Sequence, residues 1–308
     1  MLDLIIIGCS AAGISAGIYA VRRNLNFKII AYDLGGEMAL SGEIENLPGW
    51  GKTDGIEVTK KFQEHLQFYG PKPETGVQIK KIIPLPDGSF ETIGWQKNQE
   101  IKYHSKTVIV ATGLHPEKLN IPGEEKYRRR GLSYCSVCEG PLFKNKTVAT
   151  IGGGNSALES ALMLNEIASK IYLINKNPQF KGDQILFNKI QKAARIKIIY
   201  NALTKEIFGN DFVKGLIYQD QNGQKQTLKL EGIFIHIGMI PNNEFLPDQT
   251  EKNQRGEIIV DKTCQTNIKG LFAAGDITDL PYKQIAIASG QGVCAALSVV
   301  DYLNKLHS

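Results

Sequence analysis

Residues 4–13 read LIIIGCSAAG: a four-residue apolar run, Leu4 to Ile7, gives way to a turn of small residues, Gly8 to Gly13. The next stretch, Ile14 to Arg23, is rich in Ala and Ile and reads as a helix. An apolar run of this length suits a buried strand, and a glycine-rich turn leading into a helix brings free backbone N–H groups close to a phosphate. The order returns later in the chain. Thr147 to Ile151 leads into GGGNSA, Gly152 to Ala157, and a helical stretch from Leu158 to about Ala168. The two turns start 144 positions apart, far too long a period for a solenoid and the expected pattern for two dinucleotide-binding units in one chain. Each helix is followed by a second strand candidate, Lys28 to Tyr32 and Lys170 to Ile174.

Between the units lie a Gly/Pro-rich stretch, 35–55, a helix candidate at Thr59 to Tyr69, and β-like segments to about Val110. Thr107 to Thr112 reads as a buried strand ending at Gly113, a crossing between domains. Gly232 to Ile237 is a second such strand, and Gly238 with Pro241 marks the return. The last segment carries GLFAAGD, Gly270 to Asp276, then an Ala-rich helical stretch from about Gln284 to Leu303.

The chain has 308 residues, enough for two cores, with 42% hydrophobic and 22% charged residues, as in folded globular proteins. A net charge of +5, spread along the chain without aromatic interleaving, gives no footprint for nucleic acid. No apolar run reaches the roughly 18 residues of a membrane span, and MLDLIIIG lacks a basic leader and a cleavage site. Five scattered cysteines do not make a disulfide scaffold. A cytoplasmic protein, with no nucleic-acid or membrane partner, is the expectation.

Only Cys135 and Cys138 lie close in sequence, in CSVCEG. This spacing lets two thiols close a small ring and cycle between dithiol and disulfide. Zinc is the rival reading, but a structural site needs four ligands, and no second CxxC or close histidine pair exists. No metal is expected. Glu139, next to Cys138, reads either as a general acid for the thiolate or as a solvated glutamate at a helix start. Asp33 lies about 20 residues past the first glycines, where an acidic residue holds a ribose hydroxyl; a plain turn aspartate is the alternative.

Taken together, the glycine turns, CSVCEG, GGEMALSGEIENLPG (Gly35 to Gly49), VIVATG (Val108 to Gly113), GMIPN (Gly238 to Asn242) and GLFAAGD make the sequence resemble the low-molecular-weight thioredoxin reductases over nearly its whole length. The resemblance implies an α/β fold of two Rossmann-like three-layer dinucleotide-binding domains, the second inserted into the first. Residues 1–112 and 243–308 would form an FAD-binding domain, and 113–242 an NAD(P)H-type domain carrying the CxxC. FAD would be held by Gly8, Ser10, Ala11, Ala12 and Gly13 at the diphosphate, with Asp33 at the ribose. Gly35, Gly36, Glu37 and Asn46 would lie near the flavin or its ribityl chain, and Ala111, Thr112, Gly113, Gly275, Asp276, Gln284, Ile285 and Ala286 would complete the site. Gly152, Gly154, Asn155, Ser156, Ala157 and Lys176 would serve NADH or NADPH. Cys138 would face the flavin, Cys135 would attack the disulfide of thioredoxin or a thioredoxin-like protein, and Glu139 would donate the proton. A homodimer with a rotating inserted domain is implied, and Arg128 to Arg130 is a candidate docking run for an acidic partner.

Two departures stand out. Family members that use NADPH carry a histidine and arginines after the second strand of the inserted domain; here Asn175-Lys176-Asn177 and Lys181 offer no bidentate fork for a 2′-phosphate. NADH, weak NADPH use and reduction by a ferredoxin all stay open as donors. Glu37 replaces the usual glutamine, placing a carboxylate where it would disfavour an anionic reduced flavin. Besides the reductase, a flavin-dependent dithiol oxidase using oxygen and a non-enzymatic flavin-binding module are the competing readings, and the CxxC argues against the last.

Overall fold

The computed structural model describes residues 1–41 and 43–306, and of Glu43 and Cys138 the backbone alone. The chain divides into two compact units, residues 1–115 with 240–308, and residues 116–239.

Unit 1 is built on a six-stranded mixed sheet. Leu2–Ile7 lies between Phe27–Ile30 and the long strand Gln99–Val110, parallel to both, and Leu271–Ala273 adds in parallel to the end of the long strand. Phe90–Gln96 and Gln78–Pro84 extend the other half of Gln99–Val110 as an antiparallel meander. Alternation along these strands explains why the sheet is buried on both faces. Leu4, Ile6, Ile109 and Phe272 point into one core with the helices Ala11–Arg22 and Ile285–Leu306. Ile5, Ile7, Val108, Val110, Leu271 and Ala273 point into the other, with Phe245, Leu246 and Ile258. A parallel strand sandwiched in this way must read as an unbroken apolar run, as LIII does.

Unit 2 repeats the plan with a five-stranded, wholly parallel sheet in the order Ile196–Ile199, Lys170–Ile174, Thr147–Ile151, Gly232–Ile235, Leu132–Ser133. Val148, Leu173 and Phe234 face the helix Asn155–Asn165, while Ala149, Ile174, Ile233 and Ile235 face an antiparallel meander, Leu203–Gly209, Val213–Gln219 and Lys225–Lys229. Phe143 meets Phe234 edge-on at 5.2 Å. Truncating such a fully buried phenylalanine costs about 3–5 kcal/mol.

Element limits move by a few residues from the sequence reading, chiefly at helix starts. The first helix begins at Ala11 and the later one at Asn155, each inside the glycine turn itself, because the small residues there already take helical backbone. The helix expected from Thr59 opens earlier, at Gly55, where the Asp54 carboxylate accepts from the Glu57 N–H at 2.9 Å as an N-cap. Ile285–Leu306 is long and apolar enough to cross a membrane by composition, yet its Ala288, Gly292, Ala295, Ala296, Val299 and Leu303 are buried among the core residues of unit 1.

Candidate functional site

In unit 1 the turn after Leu2–Ile7 is tied down from three sides. Gly8 has φ +113°, and a side chain there would run into the Ala111 carbonyl. The Gly8 N–H donates to Ile30 O at 2.8 Å. Ser10 takes the N-cap position of Ala11–Arg22 but makes no cap bond; its hydroxyl donates to Gly35 O at 2.6 Å instead. Gly35 N–H in turn donates to Cys9 O at 2.7 Å. No acidic side chain lies in the first turn of the helix, so its free N–H groups and positive dipole end are left for an anion. This cradle, formed with no room for a Cβ at Gly8, fits the diphosphate of FAD.

The surrounding residues draw in distant parts of the chain. Asn46 Nδ2 donates to Gln284 Oε1 at 2.9 Å across 238 positions, joining two residues expected at the site. Gln284 also accepts the Ala288 N–H at 2.9 Å, so it opens the helix that starts with Ile285 and Ala286. Asp276 follows Gly275, and burial pushes its carboxyl above the usual carboxylate range, opposed by Lys283. Thr112 and Gly113 are held by Asn242: Thr112 Oγ1 donates to Asn242 O at 2.7 Å, and Asn242 Nδ2 to Thr112 O at 2.8 Å. Glu37 lies in the short helix Gly36–Leu40, half-buried, with its carbonyl accepting from the Ser41 hydroxyl at 3.0 Å. Asp33 is exposed in a turn, three residues beyond the end of Phe27–Ile30, so the strand expected to reach Tyr32 stops short of it.

Two residues of this region escaped the sequence reading. Gln291 is buried in the last helix, and its Oε1 accepts the Gly275 N–H at 2.8 Å; a glutamine in an otherwise apolar Ala-rich helix was the available signal. His115 Nδ1 lies 2.6 Å from Asn242 Oδ1, a pairing that no spacing announces.

In unit 2 the second turn has its own constraints. Gly152 has φ +150°, a side chain there would meet the His236 carbonyl, and its N–H donates to Ile174 O at 2.9 Å. Gly154 is the extended N-cap of Asn155–Asn165, again without a side-chain cap or an acidic first turn. Gly154, Asn155 and Ser156 are exposed while Ala157 is fully buried, so the helix start opens to solvent over a close-packed base. Asn155 and Asp183 clasp each other, Nδ2 to Oδ2 at 3.0 Å and Asp183 N–H to Asn155 Oδ1 at 2.7 Å. Asn175 is buried rather than presented to a ligand. Its Nδ2 donates to Gln179 O at 2.8 Å, its Oδ1 accepts the Asn177 N–H at 3.1 Å, and the Lys181 N–H donates to Gly153 O at 2.8 Å. Lys176 and Lys181 are the exposed cations of this loop.

The same unit carries the cysteine segment. Leu132–Ser133, just ahead of the cysteines, is an edge strand on Gly232–Ile235. Ser133 Oγ accepts the Cys135 N–H at 3.0 Å and donates to Cys135 O at 3.1 Å, and the Glu139 N–H donates to Cys135 O at 3.2 Å. One helical turn, Ser136–Glu139, follows and passes into a 3-10 turn at Gly140–Phe143. Glu139 ends that helical turn and is the N-cap of the 3-10 turn, so it stands at a helix start as one of its two readings has it. Cys135 is in a disulfide, whereas Cys9, Cys264 and Cys294 are free thiols. The side-chain role expected of Cys138 falls outside the described residues. Arg128, Arg129 and Arg130 are exposed on a turn in which the Arg129 N–H donates to Leu132 O at 2.9 Å, and Arg128 packs over the Tyr134 ring at 5.7 Å. Among the described residues no three His, Cys, Asp or Glu gather as a metal site.

The fold and these loops match known proteins. A family model described as pyridine nucleotide-disulphide oxidoreductase matches residues 2–292. The chain is 40% identical over 304 residues to the F component of the alkyl hydroperoxide reductase of Escherichia coli (strain K12), a match covering 98% of this chain and 58% of that protein. The thioredoxin reductase of Lactococcus lactis superposes with a TM-score of 0.85 at 32% identity, covering 99% of this chain and 100% of the other. That of T. acidophilum superposes with a TM-score of 0.81 at 35% identity, covering 99% of each. The chain thus spans a little under three-fifths of the curated relative's length and the full length of both solved structures. By its glycine turns, its engaged cysteine and these likenesses, the chain belongs to the pyridine nucleotide-disulphide oxidoreductase family, with the fold of the thioredoxin reductases.

Proposed function

We propose that the chain reduces the disulfide of a thioredoxin or thioredoxin-like protein, through a Cys135–Cys138 disulfide that is recharged from FAD. The observation that carries this reading is Cys135 in a disulfide at the head of the helical turn Ser136–Glu139, while the three cysteines of unit 1 stay free. In unit 1 the cofactor residues would be Gly8 to Gly13, Asp33, Gly35, Gly36, Glu37, Asn46, Ala111 to Gly113, Gly275, Asp276 and Gln284 to Ala286. FAD, when bound, accepts electrons as a pair from a nicotinamide and passes them to a disulfide.

The reduced Cys135 thiolate attacks one sulfur of the partner's disulfide; a mixed disulfide forms and the partner's other sulfur leaves as a thiolate. Cys138 then attacks Cys135 sulfur, restoring the intramolecular disulfide and releasing the partner's second sulfur. Glu139, which closes the turn that Cys135 opens, supplies a proton to the departing thiolate. Arg128 to Arg130 dock an acidic partner surface. The relative's name raises a second partner class, a disulfide carrier that serves a peroxide-reducing protein, since that relative is one component of an alkyl hydroperoxide reductase.

NADH is the favoured donor in this proposal. Asn175 is spent on the backbone of its own loop, and the exposed Lys176 and Lys181 are point charges without arginine's fork. The proposed enzyme is a cytoplasmic homodimer whose inserted domain rotates between donor and disulfide positions. The test is anaerobic reduction of the yellow protein with NADH, NADPH and reduced ferredoxin in turn, followed by oxidised thioredoxin. Fast bleaching by NADH and reoxidation by thioredoxin are expected. Bleaching by ferredoxin alone would overturn the donor assignment, and reoxidation by oxygen but not by thioredoxin would favour the oxidase.

A further inference from the structure

Unit 1 contains a second pair of cysteines, Cys264 and Cys294, that line one cavity. Cys264 is buried in the loop before Leu271–Ala273, with φ +62°, in a region that side-chain-bearing residues rarely occupy. The loop is held there by the Cys264 N–H donating to Asp261 O and the Ala273 N–H donating to Cys264 O, both at 3.0 Å. Its thiol donates to Gln291 O of the last helix at 3.6 Å. Cys294, half-buried on that helix, donates in the other direction, to Lys262 O at 3.5 Å. Each sulfur thus reaches onto the segment that carries the other, and both cysteines line one cavity of about 380 Å³ beside Val260, Asp261 and Leu280.

We propose that Cys264 and Cys294 form a second dithiol, a modification site that a hydroperoxide closes to a disulfide and that a trivalent arsenical bridges when it is reduced. The half-buried Cys294 meets the oxidant. Its sulfur attacks the distal oxygen of the hydroperoxide; an S–O bond forms, the O–O bond breaks, and the alcohol leaves with the thiol proton. Cys264 sulfur then attacks Cys294 sulfur, an S–S bond forms, the S–O bond breaks, and the hydroxide leaves as water with the Cys264 proton. Two electrons pass from the pair to the peroxide. Burial, and next the neighbouring Cys294, push the Cys264 thiol up to about 12, so it meets no oxidant first and acts by being in contact with the oxidised partner. Cys9 shares no cavity with Cys264 and Cys294: burial and Asp33 likewise push its thiol up to about 12, and it serves as the internal reference.

The pair belongs to unit 1 and Cys135 to unit 2, and the pair is tested on the intact protein with hydrogen peroxide as the oxidant. Differential alkylation under denaturing conditions and peptide mass mapping then follow each cysteine. Cys264 and Cys294 are expected to be lost as free thiols together, one for one, with a cross-linked peptide lighter by two hydrogens and with Cys9 still alkylated. Phenylarsine oxide added beforehand should block both. In Cys264→Ser, Cys294 should stop at a sulfenic acid that dimedone traps; in Cys294→Ser, Cys264 should remain a thiol. Direct oxidation of Cys294 to a sulfinic acid with Cys264 still free, or peroxide leaving both as thiols, would overturn the proposal.

Discussion

The two glycine turns follow one local plan and differ in what surrounds them. Gly8 to Gly13 is knitted to Gly35 through Ser10 and Cys9, and Gly275 in the same unit is held by Gln291, all by hydrogen bonds of 2.6 to 2.8 Å. Gly152 to Ala157 is bounded by side chains that bond among themselves, Asn155 with Asp183 and Asn175 with its own loop, and its helix start faces solvent. Under the proposed function the first would keep a cofactor, and the second would let one come and go. Pre-organised backbone favours tight binding because little order is lost on occupancy, whereas an exposed, self-satisfied loop exchanges its ligand.

This contrast can be broken in order of expected effect. Replacing Cys135 by Ser in unit 2 should lower disulfide reduction by about 10³-fold or more, since the attacking sulfur is gone. Flavin content should stay at the parent's level, and a loss of flavin would tie the two regions together in a way the contrast denies.

The next effect is on pH. His236, at the carbonyl that closes the second turn, is pushed down to about 4 by burial, and its Nε2 is buried without a partner. A depressed histidine contributes stability that is present above its ordinary pKa of 6.5 and is lost as pH falls toward 4. That amounts to about 3 kcal/mol, taking about 1.4 kcal/mol per pKa unit. Asp276 in unit 1 is shifted the other way, so its contribution is present at acid pH and is lost as pH rises through its raised value. Thermal melting of His236→Gln between pH 6.5 and 4 should show a flatter acid slope than the parent; an unchanged slope would remove His236 as the acid-sensitive group.

Paired glycine substitutions come third. Gly8→Ala and Gly152→Ala each force a Cβ onto a carbonyl at positive φ, a strain of about 1–3 kcal/mol. The first should cost about tenfold in FAD affinity, about 1.4 kcal/mol, measured by flavin retained after dialysis. The second should leave flavin in place and raise the donor KM about tenfold, the same 1.4 kcal/mol. Equal flavin loss in both variants would dissolve the distinction. Smallest is the loop cation: Lys176→Ala should reduce NADPH kcat/KM by only about twofold to fivefold, the size of an exposed charge contact of up to about 1 kcal/mol, and should leave NADH untouched.

Much of the fold was legible because strands buried on both faces, such as Leu4 to Ile7 and Thr147 to Ile151, have to be continuously apolar and end at glycine where the backbone turns sharply. The loop–helix boundaries were less so. Ala11 and Asn155 belong to the helices although they read as turn, since nothing in a run of small residues marks where helical backbone begins. In the sites, motif residues such as Ser10 and Gly152 are local and could be read. Gln291 on Gly275 and Asn242 on Thr112 depend on segments 16 and 130 positions apart, and only the folded chain brings them together. The burial of Asn175 was not legible either, because its side chain completes backbone bonds that the loop lacks on its own.

The central claim, that electrons leave through the Cys135 turn, is tested most directly by anaerobic titration with NADH of the parent and of Cys135→Ser, each followed by oxidised thioredoxin. The parent should take up twice the reducing equivalents of the variant and pass them to thioredoxin, while the variant should bleach and stay bleached. A Cys135→Ser protein that reduces thioredoxin at the parent's rate would contradict the account.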